Sequence, residues 1–187
     1  MNTLKPAIAV WLVIGLLSFG LLFFANCSLD RVPEEPTATA PRPTGQNPFG
    51  LMLPSQLVRS SQGMQIAKAL GVVYFRPSAI FLDEWNGTCP ECDIALKAGL
   101  QLVLTVRNNG RGQATSPPSD LAAYQRTLSQ VLDKYRPAVL VVENEENSAL
   151  FYTGTPEEYA AQLKAACQVA HQKGIPCTNG GPVSFLV

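Results

Sequence analysis

Between Pro48 and Val187 this chain alternates short runs rich in apolar, β-branched and aromatic residues with helical stretches, which restricts the fold more than any other feature. The apolar runs are Phe49–Leu53, Gly71–Arg76, Leu100–Val106, Ala138–Val142 (opened by Pro137) and Ile175–Thr178. Between them lie helical patterns near Ser55–Leu70, Cys92–Lys97, Asp120–Tyr135 and Pro156–Lys173. The last helix has the best local signal. Thr155 stands at the N-cap, Pro156 at the first helical position and Glu158 at the capping-box position, while Gly174 follows the last turn. Five strands separated by four helices predict parallel βα units with right-handed crossovers. No phosphate-cradling glycine loop follows the first strand, which weakens a nucleotide-binding fold. An open doubly wound sheet and part of a (β/α)8 barrel both remain.

The first 47 residues read differently. Lys5 precedes an apolar run from Ala7 to Ala25 that contains no charged residue. A helix of that length approaches the thickness of a bilayer's hydrocarbon core. With Asp30, Glu34 and Glu35 following, the charge asymmetry predicts a cytoplasmic N-terminus and an exported remainder, membrane-anchored or secreted. Cys27, directly after the run, loosely matches a lipid-attachment site, with Asn26 where a smaller residue is usual. Pro33, Pro36, Pro41 and Pro43 then mark an extended spacer. The expected organisation is a signal peptide or anchor at 1–28, a linker at 29–47 and a folded domain at 48–187. Formal net charge is zero, so no basic face is implied and nucleic acid is an unfavoured partner.

The run Val141-Val142-Glu143-Asn144-Glu145-Glu146-Asn147 delivers an Asn-Glu pair to the end of an apolar strand. A carboxyl there can donate a proton to a leaving oxygen, and the amide beside it can hold a hydroxyl. An acidic, solvated loop is the structural alternative. Arg76, at the end of the second strand, can orient a carboxylate or bind substrate, or it is simply a surface arginine. Arg107, Asn108 and Asn109 at the third strand's end are equally good as sugar contacts or as turn residues, and Phe151 and Tyr152 as stacking or packing rings. Cys89-Pro90-Glu91-Cys92 is a C-x-x-C with no second pair of metal-ligand spacing, and His171 is the sole histidine, so neither a metal nor a cofactor is expected. A disulfide, local or long-range, suits an exported chain better. Cys167 and Cys177 can pair across the last helix and strand, although sequence does not fix connectivity.

Three segments together resemble the first half of a clan A glycoside hydrolase barrel of the kind found in families 5 and 39. Gly71–Arg76 resembles its second strand with the terminal arginine, and Asp93–Thr105 resembles its helix, glycine and third strand. Val141–Asn147 resembles the fourth-strand Asn-Glu-Pro-Asn motif, followed by a Thr-Pro-Glu-Glu-Tyr helix start and by Gly180-Gly181. The resemblance implies an incomplete (β/α)8 TIM barrel that hydrolyses O-glycosidic bonds. In it Glu145 is the acid/base, Asn144 the 2-hydroxyl contact and Arg76 the positioning cation for a carbohydrate substrate. Such enzymes retain configuration, with two carboxyl groups about 5 Å apart.

This chain departs from that pattern in two ways. Glu146 replaces the motif's proline, and the strand-seven nucleophile has no counterpart in a five-strand chain. A (β/α)8 barrel takes about 250 residues, so a truncated domain of little activity is expected. Open sheet edges would then favour self-association. The rival expectation is a surface-tethered carbohydrate-binding or structural α/β module that cleaves nothing.

Overall fold

A computed structural model describes residues 49–184, Ser61 by its backbone alone. The expected segments 1–28 and 29–47, with Lys5, the Ala7–Ala25 run and Cys27, and the first residue of the expected folded domain, Pro48, therefore lie outside the described residues. Among the described residues no helix is long and apolar enough to cross a membrane.

In chain order the elements are β1 (Gly50–Leu51), α1 (Ser55–Arg59), α2 (Ser61–Leu70), β2 (Tyr74–Phe75), β3 (Ile80–Phe81), a 3-10 turn (Leu82–Glu84) and α3 (Pro90–Lys97). β4 (Gln101–Arg107), α4 (Leu121–Tyr135), β5 (Val139–Val142), α5 (Pro156–Gln172) and β6 (Cys177–Asn179) follow. Every strand pair is parallel, and the order β1-β2-β4-β5-β6 follows the chain without reversal. The sheet thus lacks the switch point at which doubly wound sheets reverse direction.

Among the described residues six strands and five α-helices replace the five and four expected, for two local reasons. The helix over 55–70 breaks at Ser60, which is extended (φ −88°, ψ 150°) and turns its hydroxyl onto the Leu57 carbonyl. The break lets α2 fold back so tightly that a Cβ on Gly63 would lie 2.2 Å from that same carbonyl oxygen. The second reason lies just past Arg76, which directly follows the end of β2: the chain pairs with β4 again as β3, Phe75 standing opposite Leu102 and Ile80 opposite Val106. Phe75 to Ile80 is five steps against four from Leu102 to Val106, so one extra residue bulges out around Arg76-Pro77-Ser78-Ala79.

The core lies on the helical face. Leu102, Leu104, Val106, Leu140 and Val142 pack with Leu128, Leu132, Ala166 and Ala170 from α4 and α5, nearly all without solvent exposure. Because side chains alternate along a strand, Thr105 and Val141 point to the opposite face. α5 begins as the sequence requires: the Thr155 hydroxyl accepts from Glu158 N–H while the Glu158 carboxylate accepts from Thr155 N–H. Two disulfides brace the helices, Cys89–Cys92 at the start of α3 and Cys167–Cys177 between α5 and β6.

Candidate active site

The site grows from the register of β4 and β5. Val106 lies opposite Val142, and the chain beyond β5 is still held to β4 by Glu143 N–H donating to the Val106 carbonyl at 2.9 Å. Immediately after that bond the backbone turns sharply. Glu143 (φ 63°) and Glu145 (φ 48°) both adopt the left-handed region, which disfavours side chains other than glycine, so Asn144 sits between two strained residues. Such strain persists only where the surroundings over-determine the conformation.

Glu143 supplies that determination. Its carboxylate has no solvent exposure and is surrounded by donors. Oε1 accepts from Asn108 N–H at 2.8 Å and from Gln162 Nε2 at 2.7 Å, and Oε2 accepts from the Thr115 hydroxyl at 2.7 Å. Arg107 Nε stands 3.5 Å from Oε2, and the same guanidinium donates to the Phe151 carbonyl at 2.7 Å. One carboxylate therefore ties together the end of β4, the following loop, the turn after β5 and the middle of α5. Around it, the Tyr152 hydroxyl donates to Gln162 Oε1 and the Tyr159 hydroxyl to the Val142 carbonyl. Burial first, and then the charge of Glu143, push the Tyr152 hydroxyl far above its ordinary range. Burial and then the Glu146 charge do the same for Tyr159. Both stay protonated donors at any physiological pH.

From the other side the turn is pressed by the chain leaving β6. A Cβ on Gly180 would lie 2.6 Å from the Glu143 carbonyl oxygen and 2.7 Å from both N and Cα of Asn144. Only glycine permits that approach.

Of the three residues picked from sequence, Asn144 and Glu145 share this turn at the carboxyl ends of the parallel strands. Both are half-buried, and neither side chain has a hydrogen-bond or ion-pair partner among the described residues. Arg76 is elsewhere. Its Nε donates to the Thr105 hydroxyl at 2.9 Å, on the sheet face away from the helices and opposite Val141, below the turn. It contacts neither Asn144 nor Glu145 through a hydrogen bond, and it forms no ion pair among the described residues. A cleft of about 610 Å³ opens beside the turn, with Glu146, Asn147, Ser148, Tyr152, Thr155 and Tyr159 in its wall. None of Arg76, Asn144 and Glu145 lines it. Glu146 joins it to the turn, with one carboxylate oxygen enclosed and unpartnered.

Asn108 and Asn109 prove to be loop residues. Asn108 Nδ2 donates to the Ser116 carbonyl, while Asn109 exchanges hydrogen bonds with the Ser116 hydroxyl and N–H. The Glu143 network itself escaped the sequence reading, yet a signal existed. Arg107 closes one apolar strand and Glu143 follows the next, so adjacent parallel strands in register set opposite charges side by side. Among the described residues no group of three or more His, Cys, Asp or Glu side chains is arranged to hold a metal ion. No family model matches this chain, and no curated protein is detectably similar to it in sequence.

Proposed function

We propose that residues 49–184 form a glycoside-hydrolase-like unit on a (β/α)-barrel type of sheet, binding carbohydrate at the carboxyl ends of its strands with Glu145 as proton donor. The observation that carries this reading is the contrast within one turn: Glu143 is locked by four partners, while Glu145, two residues on, presents an unengaged carboxyl. Strain, a rigid support and a free acid are what a general acid at a leaving oxygen needs. The consecutive strand order is that of a singly wound, barrel-forming sheet. In this reading Asn144 donates to a hydroxyl next to the scissile bond. Arg76, anchored by Thr105, keeps its terminal guanidinium nitrogens for a carboxylate or a sugar hydroxyl. No carboxylate is assigned as nucleophile.

Paired cysteines suit an oxidising compartment, in line with export of this domain from a membrane-anchored or secreted chain. The end strands β1 and β6 offer edges for self-association.

Binding without cleavage is the second reading, favoured by the full engagement of the Glu143 carboxylate, which keeps it from acting as a second acid beside Glu145. Both readings meet in one experiment. The full chain is assayed on aryl glycosides and for oligosaccharide binding, beside Glu145→Gln. Proton donation predicts turnover reduced by about 10²–10⁴ with binding retained. Binding lost in Glu145→Gln, with no turnover in either protein, supports the non-catalytic module. Equal turnover in the two proteins removes Glu145 from the chemistry, and a chain that neither binds nor cleaves sugar ends the carbohydrate reading.

A further inference from the structure

We propose that the Cys89–Cys92 disulfide is a thiol–disulfide exchange site that takes two electrons from a dithiol, whereas Cys167–Cys177 is a fixed crosslink. Three observations carry the distinction. Cys89 is the N-cap of α3 and Pro90 its first residue, so the pair sits at the positive end of a helix. Cys92 N–H donates to Cys89 Sγ at 3.2 Å, which stabilises negative charge on that sulfur. Both cysteines are buried, but Cys89 keeps 8% of its surface exposed and Cys92 none, so of the two only Cys89 retains any solvent contact.

As a staple this disulfide is nearly redundant. It closes a separation of three residues, against ten for Cys167–Cys177, and the stabilisation from loop closure grows with that length. Its turn is also held by other means. Cys89 N–H donates to the Tyr135 hydroxyl at 2.7 Å, and Glu91, buried between the two cysteines, accepts from Ser78 N–H at 2.8 Å. The bond can therefore open without releasing the helix start.

The exchange runs in two steps. A thiolate of the reductant attacks Cys89 Sγ, the Cys89–Cys92 bond breaks, and its electron pair leaves on Cys92 Sγ, which takes up a proton. The reductant's second thiolate then attacks its own sulfur in the mixed disulfide, releasing Cys89 as thiolate. The protein has gained two electrons and the dithiol has become a disulfide.

The test is to equilibrate the full chain in dithiothreitol buffers of graded potential, alkylate free thiols and map them by mass spectrometry, which also separates Cys27. Cys89 and Cys92 should become alkylated in buffers that leave Cys167–Cys177 closed, with circular dichroism unchanged. Opening of the two disulfides together, opening of Cys167–Cys177 first, or loss of structure on opening Cys89–Cys92 overturns the proposal. A second measurement uses Cys92→Ser and Cys89→Ser with glutathione disulfide. The Cys89 thiol should form its mixed disulfide at least about tenfold faster than the Cys92 thiol, as charge stabilisation and access require. Equal rates, or the reverse order, reject Cys89 as the sulfur through which exchange runs.

Discussion

Glu143 and Glu145 stand two residues apart, share the left-handed backbone region and belong to one acidic run, yet the fold treats them oppositely. Glu143 has lost all contact with water and accepts hydrogen bonds from Asn108, Thr115 and Gln162 beside Arg107. Glu145 keeps partial exposure and no side-chain partner among the described residues. Within this one acidic run, the residue with the most partners frames the turn, and the residue proposed as the acid is one with none. The buried carboxylate spends its lone pairs on four segments of the protein and so fixes the frame. The Glu145 carboxyl, by contrast, stays unengaged by any described side chain. Burying the first is tolerable only because donors surround it completely.

The largest effect that would break this contrast is at Glu143. Glu143→Ala leaves the Arg107 charge, Gln162 and the Asn108 N–H without their acceptor in the interior. It should destabilise the fold by about 3–5 kcal/mol, read as a lower urea midpoint at unchanged slope. A variant within error of the parent would mean that the network is not a support.

Next comes the clip under the turn. Replacing Cys167 and Cys177 together by Ala frees β6, which leads to Gly180, and should remove about 2–4 kcal/mol. Hydrogen exchange should rise first at Cys177–Asn179.

Gly180→Ala presses a methyl group against the Glu143–Asn144 peptide. The expected loss is about 1–3 kcal/mol, together with weaker sugar binding, because the turn itself must shift. Unchanged binding would show that the turn's position is irrelevant to the ligand.

Glu91 offers a pH-dependent version of the same contrast. Burial pushes its carboxyl up, but Ser78 N–H, the hydroxyls of Ser55 and Ser78 and the Arg59 charge together hold it below the ordinary 4.5. The folded value is depressed, so its contribution to stability is complete above the ordinary value and fades as pH falls through the lowered one. The stability gap between the parent and Glu91→Gln should therefore be constant near neutrality and narrow in acid below about pH 4. A gap that widens in acid would reverse the assignment.

The smallest effect belongs to Glu145→Gln, which should change stability by no more than about 0.5 kcal/mol while lowering any turnover by about 10²–10⁴. A large loss of stability would make Glu145 a second structural carboxylate and erase the difference.

Much of the fold was legible because its signals are local. The Thr155–Glu158 capping box needs only residues three apart, and the apolar run Val139–Val142 is long enough to announce a buried strand. The fragmentation of the early chain was less legible. Ser60 interrupts a continuous helical pattern only because Gly63 lets two helices approach each other. Nothing in Gly71–Arg76 reveals that the strand resumes at Ile80 after a one-residue bulge. Arg76 does follow the end of β2, but only the structure shows its side chain lying across the sheet face on Thr105.

The sequence by itself determined the parallel α/β pattern, the start of α5 and the presence of an Asn-Glu pair beyond an apolar strand. Each follows from periodicity or from the chemistry of neighbouring residues. Only the tertiary structure decided which of Glu143, Glu145 and Glu146 is buried, and which cysteines meet. The reason is physical. A carboxylate's environment is set by donors supplied from residues 108, 115 and 162, and no rule of sequence spacing brings those together until the strands are in register.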